Sequence, residues 1–140
     1  MPADIDFIIE ANVAINEISG STALAGLRQR LNADIFSDEP KAYVIIAEMD
    51  GRPVGMALYS WTYFANDGRI MWLSQVYVKP EYRRHRVAFA LFRELKNAAA
   101  AGGAHAIVGG VDSENLRAMK VYNFIGAQAL DKYKLMCCKI

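Results

Sequence analysis

The residues best suited to chemistry lie in one short segment, where basic side chains follow an apolar run. The run ends at Val78, Pro80 follows in a short loop, and residues 83–86 are Arg-Arg-His-Arg. We expect the run to be a strand and the basic residues to begin a helix. Backbone N–H groups at a helix start favour an anion, and positive side chains there are unfavourable unless something negative binds. The segment therefore indicates an anion site, although a solvated basic turn explains the same residues.

Other catalytic and metal-binding patterns are missing from the sequence. It has no Walker-type phosphate loop, no dinucleotide glycine fingerprint, no hydrolase nucleophile elbow and no His-Glu-x-x-His. Its two histidines, His85 and His105, offer no good nucleophile–histidine–acid triad. Cys137 and Cys138 are adjacent, so they cannot staple distant segments, and they make a poor zinc site. We expect reduced, packed cysteines and no metal.

Length, charge and hydropathy restrict the class of protein. The chain has 140 residues, 54% of them hydrophobic, and a net charge of +1. We expect one domain over residues 1–140, and the balanced charge argues against a nucleic-acid partner. No apolar run reaches the roughly 20 residues that a membrane span needs. The first residues lack a secretory signal, so we expect a cytoplasmic protein without a membrane partner.

The pattern along the chain predicts helices, then strands, then an alternation of the two. Apolar spacing predicts a helix over 5–18 and a second helix capped by Ser21. The other expected elements are strands at 42–49, 54–64 and 69–78, a helix at 83–101, a strand at 105–111, a helix at 114–124 and a strand at 132–138. The prediction is an α/β (α+β) fold, with a mixed, mostly antiparallel sheet and helices on both faces.

Two sequence blocks carry a family resemblance. The basic segment resembles the acyl-CoA motif of the GNAT superfamily of N-acyltransferases, Gln/Arg-x-x-Gly-x-Gly/Ala, with Arg83 first, Ala88 last and Arg86 in the glycine position. The block from Asn115 to Ala127 resembles the family's Asn-x-x-Ala-x-x-Phe-Tyr-x-x-x-Gly-Phe with every spacing kept. The resemblance implies a GNAT-like fold and transfer of an acetyl group from acetyl-CoA to a primary amine of a small molecule or protein.

The resemblance also implies roles for individual residues. The backbone around Tyr77, at Val76 and Val78, would pair with the pantetheine arm, and the Val76 N–H would stabilise the oxyanion. Asn115 would bind the pantetheine or cofactor, and Tyr122 would protonate the departing thiolate. The pyrophosphate would lie against the helix start, cradled by the backbone amides of Arg84, His85, Arg86, Val87, Ala88 and Phe89, and Arg83 would also contribute to cofactor binding. Taken alone, Tyr122 also fits a core aromatic.

Several departures from the family leave alternatives open. Arg86 in helical geometry need not block the amides and could reach a phosphate, or it could fill the cleft. The family's usual glutamate base is missing at Ser74, Gln75 and Gly110, which leaves Glu48, Asp112 or a water relay. The expected lining of the acceptor site is Trp61, Tyr63, Phe64 and Trp72, with Asp6, Glu10 and Glu17 as acidic residues that could attract a cationic amine or simply form a solvated face.

The chain start and the competing functions complete the sequence predictions. The chain begins where the family has already formed a short strand, so either that strand is absent or the start codon lies upstream of Met1. Without that strand the run 42–49 would be an unpaired sheet edge, and we expect a homodimer. A catalytically inactive GNAT-fold protein that binds acyl-CoA or a protein partner is the main alternative. An RNA- or DNA-binding module that uses the arginine cluster is a third reading, which the net charge disfavours.

Overall fold

The computed structural model describes residues 4–16, 19–84 and 86–140, which form two compact units, residues 1–110 and residues 111–140. The first unit contains helices α1 (Ile5–Asn16) and α2 (Ser21–Ile35), strands β1 (Tyr43–Met49), β2 (Arg52–Phe64) and β3 (Gly68–Val78), helix α3 (Val87–Ala101) and strand β4 (Ile107–Gly109). The second unit contains helix α4 (Leu116–Phe124). None of the described helices is long and apolar enough to cross a membrane.

The four strands form one sheet in the order β1-β2-β3-β4. The two hairpins pair antiparallel, and β4 joins β3 in parallel after the α3 crossover. The β2–β3 register steps from Leu58↔Gln75 to Tyr59↔Leu73, so Ser74 is an extra residue that forms a bulge in β3. Pairing with β4 ends at Leu73↔Gly109, directly before this bulge.

Helices cover both faces of the sheet. On one face, α1 and α2 pack over β2 and β3 in a core of Ile5, Phe7, Ile8, Ala11, Leu27, Leu31, Met56 and Tyr77. On the other face, α3 lies so close that a Cβ on Gly55 would be 2.8 Å from Val87 and 3.3 Å from Leu91. The predicted mixed, mostly antiparallel sheet with helices on both faces is confirmed.

Two predicted helix starts are displaced in the structure. Ser21 is the first residue of α2 rather than its cap, because the capping residue is Gly20, whose φ of 94° only glycine adopts easily. The third helix begins at Val87 rather than at residue 83, because Pro80–Tyr82 form a 3₁₀ turn and Arg86 adopts a left-handed conformation. Part of the predicted first helix, residues 17 and 18, lies outside the described residues.

The strand predicted at 132–138 is wrong. Residues 127–140 form no helix or strand, and the second unit contains no other strand that could pair with this segment. Alternating side chains do not make a strand unless the backbone finds a hydrogen-bonding partner. Cys137 and Cys138 are free, but both are exposed rather than packed.

Candidate active site

The last residues of β3 have a backbone edge that pairs with no strand of the described residues, and we call it the open edge. The Lys79 N–H donates to the Val54 carbonyl at 2.8 Å, and antiparallel neighbours alternate between bonded and non-bonded pairs. Val76 and Val78 therefore point their N–H and C=O groups away from β2, towards the side where β4 has already ended. Tyr77 does not share this edge: its backbone faces β2, and its ring lies 6.1 Å from that of Phe7 in the core.

The loop after β3 directs an arginine back to the strand. Arg83 has a φ of −65° directly after the 3₁₀ turn, and its Nε donates to the Val78 carbonyl at 3.1 Å. This bond ties the loop to the end of the open edge. Arg83 thereby occupies the Val78 carbonyl, while the Val76 N–H and C=O stay directed at the open side.

The start of α3 presents backbone donors beside positive side chains. Its first helical hydrogen bond runs from the Ala90 N–H to the Arg86 carbonyl at 3.2 Å, so the amides of Val87 and Ala88 point out of the helix end. Phe89, in the first turn, is exposed. Arg84 and Arg86 are exposed too, and within the described ranges neither has a carboxylate at ion-pair distance. Such a helix start suits a phosphate group.

Arg86 does not have the helical geometry expected from the sequence. Its φ of 60° and ψ of 20° place it in the left-handed region, as the capping residue of α3. Glycine enters this region without steric cost, whereas a residue with a Cβ pays about 1 kcal/mol. This conformation gives a physical reason for a glycine at the motif position. His85, the residue before it, lies outside the described residues.

The other two predicted site residues lie in the second unit. The Asn115 side chain caps α4 by accepting the Ala118 N–H at 3.1 Å through its carboxamide oxygen, and its NH₂ group has no acceptor in the part of the chain that the structure describes. Tyr122 lies half-buried in the same helix, and burial raises the pKa of its phenol above the ordinary value of 10.0. The phenol therefore keeps its proton at neutral pH, as a general acid must.

Neither candidate base has a setting that marks it as catalytic. Asp112 accepts the Glu114 N–H at 2.9 Å through its side chain, which is the bonding of a turn residue. Glu48 is exposed near the turn between β1 and β2.

The four predicted acceptor aromatics do not share one face of the sheet. Trp61 and Tyr63 lie on the α3 face, where the Trp61 ring blocks any side chain at Gly102 and stacks under Arg69 at 4.4 Å. Phe64 lies on the opposite face, since side chains alternate along a strand. Trp72 lies there as well, because it pairs with Ser60. These residues therefore cannot line a single pocket as predicted.

The predicted acidic residues are mostly engaged with cations. Asp6 pairs with Arg28 at 2.6 Å, which links α1 to α2, and Glu10 lies 4.0 Å from the Lys79 ammonium. Glu17 lies outside the described residues. Asp6 is exposed and forms an ion pair with the neighbouring helix. It therefore fits a solvated helix face better than a residue that attracts a cationic amine.

A polar pair that sequence reasoning missed joins α1 to β3 on the face opposite α3. The Gln75 Nε2 donates to the Asn12 Oδ1 at 3.2 Å, and the Asn12 Nδ2 donates to the Ile8 carbonyl at 2.8 Å. Asn12 is only 6% exposed on an otherwise apolar helix face. The sequence signal for a buried Asn12 is its position seven residues after Ile5 and four after Ile8, which places it on the same face of the helix.

Comparison with known proteins identifies relatives along most of the chain. The model of the acetyltransferase (GNAT) family matches residues 13–127. A Bos taurus protein described as thialysine N-epsilon-acetyltransferase is 32% identical over 110 residues, 73% of this chain. This chain spans 65% of the length of the curated relatives it matches.

Solved structures share the fold at low sequence identity. A possible acetyltransferase from Clostridium difficile 630 aligns with a TM-score of 0.80 and 22% identity, over 100% of this chain and 93% of that one. The aminoglycoside N-acetyltransferase AAC(6')-Iy, in complex with a bisubstrate analogue of CoA, aligns with a TM-score of 0.77 and 16% identity, over 99% and 93% of the two chains.

Proposed function

Because the chain belongs to the acetyltransferase (GNAT) family, we propose that it transfers an acetyl group from acetyl-CoA to a primary amine of a small molecule or protein. The family resemblance carried by the two sequence blocks is confirmed. The family match runs through both units, which supports one acyltransferase domain over the chain.

The observation that carries the proposal is the open edge of β3 followed by the start of α3. The pantetheine arm has amide groups that can pair with the backbone of Val76 and with the Val78 N–H as an added strand would, while Arg83 holds the Val78 carbonyl. At the far end of that arm, the diphosphate would meet the amides of Val87 and Ala88 and the side chains of Arg84 and Arg86. The structure of AAC(6')-Iy with a CoA bisubstrate analogue supports CoA as the ligand of this fold.

The proposed reaction is direct attack of a neutral amine on the thioester carbonyl. The carbon–nitrogen bond forms as the carbonyl electrons move to oxygen, and the Val76 N–H stabilises that oxyanion. Collapse breaks the carbon–sulfur bond, and the Tyr122 hydroxyl gives its proton to the departing thiolate. We assign the proton of the amine to a water relay, because neither Glu48 nor Asp112 has the setting of a catalytic base.

The descriptions of the relatives support a proposed class of acceptor. The curated relatives are described as thialysine N-epsilon-acetyltransferases, and AAC(6')-Iy is described as an aminoglycoside N-acetyltransferase. Both descriptions name acetylation on nitrogen. We therefore place small primary amines related to lysine first among the candidate acceptors.

A second candidate function rests on Arg86. An arginine in a left-handed position that suits glycine would keep the backbone further from a diphosphate and weaken acetyl-CoA binding. In that case the chain is a non-catalytic member of its family that binds acyl-CoA or a protein partner.

A thiol-release assay with acetyl-CoA and a panel of primary amines tests the proposed reaction. We expect turnover with at least one amine, and Tyr122→Phe should lower kcat by about 10²–10³-fold because the thiolate loses its acid. Since burial raises the pKa of Tyr122 above 10.0, deprotonation of this acid should not lower the wild-type rate at any pH below 10.0.

Tyr133→Phe is the matched control, since Tyr133 is an exposed tyrosine of the same unit. It should leave kcat unchanged. An unchanged kcat in Tyr122→Phe would show that another group protonates the thiolate. Thermal stabilisation by acetyl-CoA without turnover of any amine would favour the binding protein instead.

A further inference from the structure

The carboxamide of Gln75 is held in a fixed orientation. Its Nε2 donates to the Asn12 Oδ1, while the Asn12 Nδ2 is already engaged with the Ile8 carbonyl. Turning the Gln75 amide over would set two acceptor oxygens against each other. The Gln75 Oε1 therefore points away from Asn12.

That oxygen is buried without a donor. Gln75 Oε1 has almost no accessible surface, and no hydrogen-bond donor lies within reach of it in residues 4–16, 19–84 and 86–140. An unsatisfied buried acceptor is costly, and native structures contain few of them. A buried polar atom that lacks a partner within its own fold suits a ligand that brings a donor.

The position of Gln75 indicates which ligand that is. It directly follows the Ser74 bulge, where β3 parts from β4, and it faces the α1 side of the sheet. The next residue, Val76, points its N–H towards the side of β3 where pairing with β4 has ended. A donor bound to Gln75 Oε1 would thus lie beside the carbonyl that Val76 polarises.

Resting on the proposed function, we propose that Gln75 Oε1 accepts a hydrogen bond from the N–H of the incoming primary amine and orients its nitrogen towards the thioester. Asn12 is a positioning residue that fixes the Gln75 carboxamide. A neutral oxygen suits this task, because a carboxylate would favour the ammonium form, which cannot attack. Since Oε1 is closed to bulk water, the amine reaches it by displacing neighbouring side chains.

The test is steady-state kinetics of Gln75→Met, which keeps the length of the side chain and removes its polar atoms. The KM of the amine should rise about tenfold, the loss of one hydrogen bond, while the KM of acetyl-CoA stays within about twofold. Thr62→Val, on the same face but away from the bulge, should change neither constant.

Two further variants keep the test decisive if Gln75→Met does not fold. In Gln75→Glu the acetylation rate should begin to increase at a higher pH than in the wild type, because the carboxylate stabilises the bound ammonium form of the amine. Asn12→Ala should raise the KM of the amine less than Gln75→Met does. Unchanged amine KM and pH profile in folded, active variants would overturn this role while leaving the proposed reaction intact. A wild-type chain that acetylates no amine would remove both.

Discussion

At the scale of single residues, Arg86 shows how one side chain can oppose the local backbone. Its left-handed conformation caps α3 and lets the chain turn from the 3₁₀ segment into the helix. The Cβ of an arginine makes that conformation cost about 1 kcal/mol, which glycine would avoid. The exposed side chain compensates only if an anion binds beside it.

We predict that Arg86→Gly stabilises the folded chain by about 1 kcal/mol relative to Arg86→Ala, because both remove the charge and only glycine removes the Cβ. Urea unfolding of the two variants measures this difference in the free energy of unfolding. Equal midpoints would show that the left-handed conformation carries no strain at this position.

The same residue marks a limit of sequence reasoning. The motif spacing places Arg86 in a glycine position, but a spacing carries no φ angle, so it does not predict the left-handed conformation. Gln75 was noticed only as a missing glutamate. Its pairing with Asn12 depends on two residues 63 positions apart, which no local pattern connects.

At the scale of elements, the contact between α3 and the sheet depends on a missing side chain at Gly55. A Cβ there would lie 2.8 Å from Val87 Cγ1 and 3.1 Å from the Tyr77 carbonyl oxygen. Helix α3 therefore packs directly on the backbone of β2 at Gly55. Any added volume at Gly55 pushes α3 away from the open edge of β3.

Gly55→Ala should lower the free energy of unfolding by about 1–3 kcal/mol, because a well-packed contact cannot absorb a methyl group without strain. Gly26→Ala is the control: Gly26 lies in α2 with nothing within 4 Å of an added Cβ, so alanine should stabilise that helix by about 0.5–1 kcal/mol. Urea unfolding should show a lower free energy of unfolding for Gly55→Ala and a higher one for Gly26→Ala. A change of the same sign in both variants would contradict this packing.

Local patterns predicted the first helix and the central strands well and the C-terminal segment poorly. The predicted strands 42–49, 54–64 and 69–78 agree with β1, β2 and β3 to within two residues at each end. The bulge at Ser74 was missed because an extra residue breaks the alternation that marks a strand. The segment 132–138 has the alternating side chains of a strand. A strand also needs a second segment to pair with, and the local sequence does not show whether one is present.

At the scale of the whole molecule, β1 is an unprotected edge of the sheet. Among residues 4–16, 19–84 and 86–140 it pairs only with β2, and its sequence, Tyr-Val-Ile-Ile-Ala-Glu-Met, contains no lysine or proline. Natural sheets use such residues to block pairing between molecules. We therefore propose that β1 pairs with β1 of a second copy, as an antiparallel extension of the sheet.

Analytical ultracentrifugation at micromolar concentration should then give the mass of a dimer. Ala47→Lys should shift the chain to monomer, since it adds a charge to the edge, whereas Ala25→Lys on an exposed part of α2 should not. A monomeric wild-type chain would show that β1 stays unpaired.

The single extra residue in β3 has a consequence for how this molecule can vary. Leu73 and Gln75 lie on opposite faces of the sheet, as two consecutive residues of a regular strand would. Deletion of Ser74 would therefore leave every other side chain of β3 on its present face. What such a deletion would change is the course of the strand, which would run straight on beside its parallel neighbour. The separation of β3 from β4 after Leu73 therefore depends on the number of residues in β3 more than on their chemical nature. Side chains near this separation can be exchanged while the two strands still separate.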